Sequence, residues 1–472
     1  PWPEIEKLNQ IVLKTNQFLK PRATLYPKYF ADLETFSTQE IASKLLQITD
    51  SQSLIRSDQW KSGVSNKIPS YPEAILSSNI RSLIKDVETN PSAMNVQSLL
   101  ETSENDFQYI VKYADEVKSQ IHGPDISFVV NRNINYTNIC SFKCNFCAFS
   151  KGKGHDDLRG KPYNISEEEI IRRTKEAIDR GATEVCLQGG IHPKFSGETY
   201  LDIVRAIRSV SDSIHIHAFS PLEIDHGRKT LNISVKDFLI ELKNVGLNSL
   251  PGTAAEILHD DIRAIICPDK LNSNEWVEII KAAHSVGLPS TSTMMFGHVE
   301  NMSHVAHHLM RLLEIQNSTN GLTEFVPLPF VAEEAPIFMR GKSRPGPTFK
   351  ETILVHSVAR ILYNGSINNI QGSWVKMGLP GLKYLLSSGI NDIGGVLMNE
   401  SITRSAGASF GQELNLDDVL SIIDELGLNL KQRNTLYHSL TNDIQDLINL
   451  QSIPLIPIIN EYHQPKKINT TV

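Results

Sequence analysis

Residues 131–150 read NRNINYTNICSFKCNFCAFS, and they join two signals. Ser127–Asn133, which runs into this stretch, is a short run of strand length. The loop after it carries cysteines at 140, 144 and 147, a C-x3-C-x2-C spacing with Phe146 before the last. Three thiolates so close in sequence can wrap one soft metal centre from a single loop. The number three is informative, because a closed structural zinc site or an electron-transfer cluster generally takes four protein ligands. A three-thiolate site on a four-iron cluster leaves one iron open. A zinc knuckle completed by a histidine such as His155 is the plainer alternative. Cys186 and Cys267 read as apolar fillers, since unpaired cysteine packs as a small hydrophobe.

Outward from this loop the rhythm is regular. Further strands are expected at Glu184–Gln188, Ile214–Phe219, Leu247–Leu250, Pro289–Met295, Leu322–Val326, Ser366–Gly372 and Asp392–Leu397. Helix-length amphipathic stretches separate most of them. Ser166 with Glu169 reads as a capping box, opening a helix that ends near Gly181. Eight strand–helix units predict a (β/α)8 TIM-type barrel over 126–408. A doubly wound sheet would need a glycine-rich dinucleotide turn, and none is present. Polar and glycine motifs fall at the expected strand ends, where barrel enzymes place their sites. These are Gln188-Gly-Gly190, His217-Ala-Phe-Ser220, Phe296-Gly-His298, Gln371-Gly-Ser-Trp374 and Gly394-Gly395.

The flanks read as helical extensions. Residues 1–65 form a leader, in which Ser37 is the expected cap of a helix over Thr38–Ile48. Ser62–Pro72 reads as a linker, 66–125 as a helical N-terminal extension and 409–472 as a helical C-terminal one. The chain has 472 residues, a net charge of −7 and 40% hydrophobic content. Without a basic stripe, nucleic acid is not an expected partner. No apolar run reaches the ~18 residues of a membrane span. Five sparse cysteines argue for a reducing compartment rather than a disulfide framework, and the cytoplasm is the expected location. The first residue is Pro1, so the natural start, with any organellar targeting segment, is expected to lie upstream.

The cysteine spacing, with its aromatic before the third cysteine, resembles the radical S-adenosylmethionine (SAM) superfamily. That resemblance implies a 4Fe-4S cluster on Cys140, Cys144 and Cys147, with the amino and carboxylate groups of SAM on the open iron. Reduction of the sulfonium would release methionine and a 5′-deoxyadenosyl radical, the cofactor carrying the hard chemistry. Gly189 and Gly190 match the family's GG motif beside the methionine amine. Residues Thr293–Glu300 (TMMFGHVE) share Gly297 and Glu300 with its GxIxGxxE pattern beside the adenine, though Thr293 and Met295 replace the usual Gly and Ile. Glu256, Lys270 and Ser220 complete the expected cofactor contacts.

Longer strings narrow the likeness: VVNRNINYTNIC (129–140), QGGIHP (188–193), HIHAFSPLEI (215–224), SLPGTAAEIL (249–258), FVPLPF (325–330), SWVKMG (373–378) and NDIGGVLMNESITRSAG (391–407). From about residue 70 to 435 they resemble the tyrosine-using, CofH-type half of the deazaflavin (FO) synthases. The menaquinone-pathway aminofutalosine synthases share many of them and are the alternative. The leader and SLIRSDQWKSG (53–63) resemble the C-terminal tail of the partner CofG-type half.

The resemblance implies cleavage of L-tyrosine and transfer of its 4-hydroxybenzyl group to 5-amino-6-(D-ribitylamino)uracil, releasing 2-iminoacetate. A CofG-like module and a reducing electron donor are the implied partners. His217 is the expected proton handler, since imidazole titrates near neutrality. Glu324 and Gln371 are expected to meet tyrosine's amine or the uracil edge. A metal-stabilised binding barrel without turnover is the rival from another class.

Overall fold

In the computed structural model, which describes residues 4–14, 19–71, 73, 77, 79–150 and 161–461, the first strand is where the barrel closes. It has two parts, β1 (Asp125–Val129) and β2 (Asn131–Asn135), interrupted at Val130. β2 pairs in parallel with β3 (Glu184–Gln188), and β3 with β4 (His215–Ala218). Single parallel bridges His217–Ser249 and Leu250–Ser290 carry the ring to β5 (Ser290–Phe296). β5 pairs with β6 (Leu322–Pro329). Bridges Phe325–Ile370 and Gln371–Asp392 lead to β7 (Asp392–Gly395), which pairs with β1. The ring therefore has eight parallel positions, and helices cover its outside.

Two expected strands, Leu247–Leu250 and Ser366–Gly372, shrink to bridges because side-chain amides take the place of ladder bonds. Asn248 Oδ1 accepts from Ile216 N at 2.8 Å, and Asn391 Oδ1 from Ile370 N at 2.9 Å. Pro251 brings no N–H to extend the first of them. In the leader, the helix Gln39–Ile48 is capped by Thr38 rather than Ser37. Ser166 caps Glu167–Asp179 as expected.

The C-terminal extension is not wholly helical. Asn429–Gln432 forms β8, parallel to β1 from Asp125–Asn429 to Phe128–Gln432. The cause is an open edge: β2 meets β3 only from Asn131 upward, and an unpaired strand edge invites another strand. The leader is likewise not tethered loosely. Ser62 Oγ donates to Phe330 O, Gly63 N donates to Lys376 O at 2.6 Å, and Arg56 reaches the carbonyls of Gly346 and Pro347. The start of the expected linker is thus fastened to the barrel. Among the described residues no helix is long and apolar enough to cross a membrane.

Candidate active site in and above the barrel

At the mouth, the cysteine loop is laced to its neighbours mainly by backbone groups. Ser141 N donates to Ile191 O at 2.9 Å, Ile191 N to Cys140 Sγ at 3.3 Å, and Gly190 N to Thr137 O at 2.9 Å. On the other side Asn145 N donates to Ile266 O at 2.8 Å and Lys143 N to Asp269 Oδ2 at 2.8 Å. A Cβ on Gly189 would run into the Tyr136 ring, and one on Gly190 into the Ile139 carbonyl. The two glycines therefore let the loop after β3 close onto the cysteine loop. Tyr136 in turn donates to buried Glu223, which also accepts from Ser220 N at 2.7 Å and Ser220 Oγ at 2.5 Å.

The three thiols are half-buried and unpaired. Burial pushes the Cys140 and Cys144 thiols up, Cys147 adds to both, and the Lys270 ammonium opposes it. Among the described residues no three His, Cys, Asp or Glu side chains converge on one ion-sized point. His155 lies outside the described residues. A polynuclear cluster takes each thiolate on a different iron, so three neighbouring soft donors on one loop fit a cluster. Lys270 sits 5.1 Å from the Phe146 ring centre and pairs with Glu256 at 2.9 Å. A cation and a carboxylate thus stand beside the thiols.

Gly297 and Glu300 form the next wall. Gly297 has φ +100°, and a Cβ there would strike Pro347. Glu300 turns inward: it accepts from Gly297 N at 2.6 Å, His298 N at 2.9 Å and Arg344 at 2.9 Å. Burial alone would raise it, but the charges of His298 and Arg344 hold its carboxyl well below the usual range. Arg344 continues to Glu351 at 3.3 Å, and Glu351 accepts from Ser51 N of the leader at 2.7 Å. Glu300 and Ser220 were expected to touch the cofactor. In this structure Glu300 is held by Gly297, His298 and Arg344 and Ser220 by Glu223, because a buried carboxylate or helix cap is satisfied by the nearest N–H groups.

Below the mouth lies a cavity of about 240 Å³ inside the barrel. His217, Glu324 and Gln371, expected as the reacting groups, all line it. His217 Nδ1 lies 2.7 Å from Ser249 Oγ, and burial lowers its pKa against the pull of Glu184. Burial, with Asp392 adding, pushes Glu324 up to about 7 against the opposing charge of Arg433. Gln371 reaches Asp392 only at 3.4 Å. Arg433 and Thr435 close the floor from the segment after β8. Arg433 binds both oxygens of Asp392, at 2.5 and 2.9 Å, and lies 3.4 Å from Glu324, which also accepts from Tyr437. Thr435 donates to Glu184 at 2.7 Å. The sequence reading missed Arg433, Thr435, Tyr437, Glu184 and Asp392; Lys376 and Glu400 also line the cavity, and only their place in the strings SWVKMG and NDIGGVLMNESITRSAG marked them.

Residues 134–312 match the radical SAM superfamily, and 319–445 match the CofH/MqnC C-terminal region. The chain is 46% identical to the 5-amino-6-(D-ribitylamino)uracil–L-tyrosine 4-hydroxyphenyl transferase of Methanopyrus kandleri, over 70% of this chain and 88% of that protein. The enzyme of the same name from Methanocaldococcus jannaschii is 44% identical over 74% and 97%. The FO synthase of Mycobacterium leprae is 42% identical over 78% of this chain, which spans 42% of that longer protein. In fold, the chain is similar to methylornithine synthase, with a TM-score of 0.57 and 17% identity over 78% of this chain and 99% of the other. It is also similar to the hydrogenase maturase HydG, with a TM-score of 0.58 and 15% identity over 76% and 77%.

Proposed function

The chain belongs to the radical SAM family of 5-amino-6-(D-ribitylamino)uracil–L-tyrosine 4-hydroxyphenyl transferases, and from that premise we propose that it performs this transfer itself. L-Tyrosine is cleaved between its α-carbon and side chain, and the 4-hydroxybenzyl unit is joined to the diaminouracil. The products are the adduct, 2-iminoacetate, methionine and 5′-deoxyadenosine. The observation that carries this reading is the cavity inside the barrel that brings His217, Glu324, Gln371 and Arg433 together, in a chain whose strand β2 leads into the three-cysteine loop.

When bound, the cluster and SAM supply the one-electron cleavage that starts the chemistry. Cys140, Cys144 and Cys147 hold the cluster. The backbone at Gly189 and Gly190 would receive the methionine part, Glu256 and Lys270 would meet its polar groups, and the loop at Gly297 would take the adenine. Ser220 and Glu300 act through the loops they fasten. The closed barrel keeps water from the reacting atoms. His217, neutral at pH 7, and Glu324, poised near neutrality, are placed to hold or move a proton. Gln371 offers an amide to the uracil edge.

Residues 1–65 are read as the tail of a CofG-like module, 66–125 as a helical extension, 126–408 as the barrel and 409–472 as the segment that closes it. The CofG-like module consumes the adduct, a reducing donor supplies the electron, and a reducing, cytoplasmic setting keeps the thiols available. The test is an anaerobic assay with SAM, tyrosine and the diaminouracil, read by mass spectrometry. Formation of 5′-deoxyadenosine and the adduct should require both substrates. Turnover of a carboxyvinyloxy-benzoate with tyrosine omitted would instead assign the aminofutalosine reaction.

A further inference from the structure

The cavity wall carries six ionisable side chains that matter here: Glu184, His217, Glu324, Arg433, Lys376 and Glu400. Four are engaged by the protein itself. Glu184 accepts from Asn131 at 2.8 Å and Thr435 at 2.7 Å, and His217 is bound to Ser249. Arg433 is shared between Asp392 and Glu324. Two are left over. The Lys376 ammonium has no hydrogen bond or ion pair among the described residues. Glu400 is 4% exposed, and its Oε1 accepts from Thr403 N at 2.7 Å, yet its Oε2 has no partner.

A half-buried ammonium without a bound counter-charge and a buried carboxylate oxygen without a partner both cost free energy. They have not relieved that cost by pairing, although they are close enough for Glu400 to oppose the effect of burial, which lowers the Lys376 ammonium to about 8. Their backbones are pinned: Lys376 O accepts from Gly63 N at 2.6 Å, and Glu400 N donates to Leu397 O at 2.9 Å. Both follow the ends of the last two ring positions, on the mouth side of the cavity.

We propose that Lys376 and Glu400 form the clamp for the α-amino-acid head of the substrate, Lys376 taking the carboxylate and Glu400 the ammonium. The clamp rests on the tyrosine reading above and specifies which residues bind it. An α-amino acid brings opposite charges on neighbouring atoms, which is the complement of what the wall leaves unpaired. The diaminouracil, with its neutral polyol chain, has no such pair of charges. The clamp places the head of the amino acid towards the cysteine loop and leaves the deeper, already paired wall for the rest of the substrates.

The test is equilibrium binding to the cluster-loaded protein of three ligands: L-tyrosine, tyramine, which lacks the carboxylate, and 3-(4-hydroxyphenyl)propanoate, which lacks the amine. Lys376→Met should weaken tyrosine and the propanoate by about tenfold or more, as loss of a charge-assisted hydrogen bond does, and leave tyramine unchanged. Glu400→Gln should weaken tyrosine and tyramine and leave the propanoate unchanged. Lys376→Arg, which keeps the charge, should retain the preference for tyrosine over tyramine. Iron content and melting temperature report that each variant is folded and loaded. If both variants weaken all three ligands alike, or neither weakens any, the clamp is wrong while the tyrosine reading stands. A native protein that binds none of the three overturns the tyrosine reading and the clamp with it.

Discussion

The mouth of the barrel holds its residues mostly with backbone hydrogen bonds between adjacent loops, whereas the floor holds its residues with buried charge brought from far along the chain. At the mouth, Gly189, Gly190 and Gly297 matter for the side chains they lack: Tyr136, Ile139 and Pro347 occupy the space. At the floor, Arg433 meets Asp392 and Glu324, positions 41 and 109 residues away. The contrast separates two kinds of fragility. A loop laced by backbone groups tolerates changes of charge but not of volume. A buried ion network tolerates little loss of charge, because the partner left behind stays desolvated.

The largest expected effect strips the mouth of its chemistry alone. Cys144→Ser should abolish the iron–sulfur absorbance and the release of 5′-deoxyadenosine while the floor stays folded. A variant that still assembles a cluster and cleaves SAM would falsify the three-thiolate assignment.

Arg433→Met attacks the floor. It leaves Asp392 and Glu324 buried without their cation, at a cost of about 3–5 kcal/mol. Chemical denaturation should show that loss, with iron per folded molecule unchanged. Unchanged stability would mean that the plug is incidental.

Gly189→Ala returns to the mouth. Its methyl group must displace the Tyr136 ring, and overpacking of this kind costs about 1–3 kcal/mol. Reduced cluster loading is expected, and full loading with native stability would show that the two loops are not tightly laced.

The smallest effect is Tyr437→Phe, worth about 0.5–1.5 kcal/mol for one hydrogen bond. The Tyr437 hydroxyl helps to lower the Glu324 carboxyl, so its removal should move the Glu324 limb of the pH–rate profile to higher pH. The stability linkage has the matching sign. Glu324 binds its proton more tightly folded than unfolded, so its contribution falls as pH rises from the ordinary carboxylate range through about 7. A limb that stays in place would remove Tyr437 from the network.

Much of the mouth could be read directly from the chain, because its parts are neighbours in sequence or sit at strand ends. The spacing of Cys140, Cys144 and Cys147, the glycine pair and the strand containing His217 are local features. Glu324 and Gln371 were found for the same reason. Ser220 and Glu300 were marked by their motifs, but their hydrogen-bond partners within the protein were not legible, since spacing does not say which N–H group lies nearest. Arg433, Thr435 and Tyr437 sit beyond a strand that was read as helical extension. Their role depends on an edge of β1 that exists only once the ring has closed.

The amino-acid sequence by itself determined the thiol loop, the eight-unit rhythm and, through both, the class of chemistry, because covalent spacing and strand–helix alternation are local properties. Tertiary structure alone decided which charges meet. Ionisable groups are distinguished by desolvation and by distances of a few ångströms, and neither exists before the barrel closes. That closure ties Arg433 to Asp392 and leaves Lys376 and one oxygen of Glu400, two residues of the cavity wall, without a hydrogen-bond partner among the described residues.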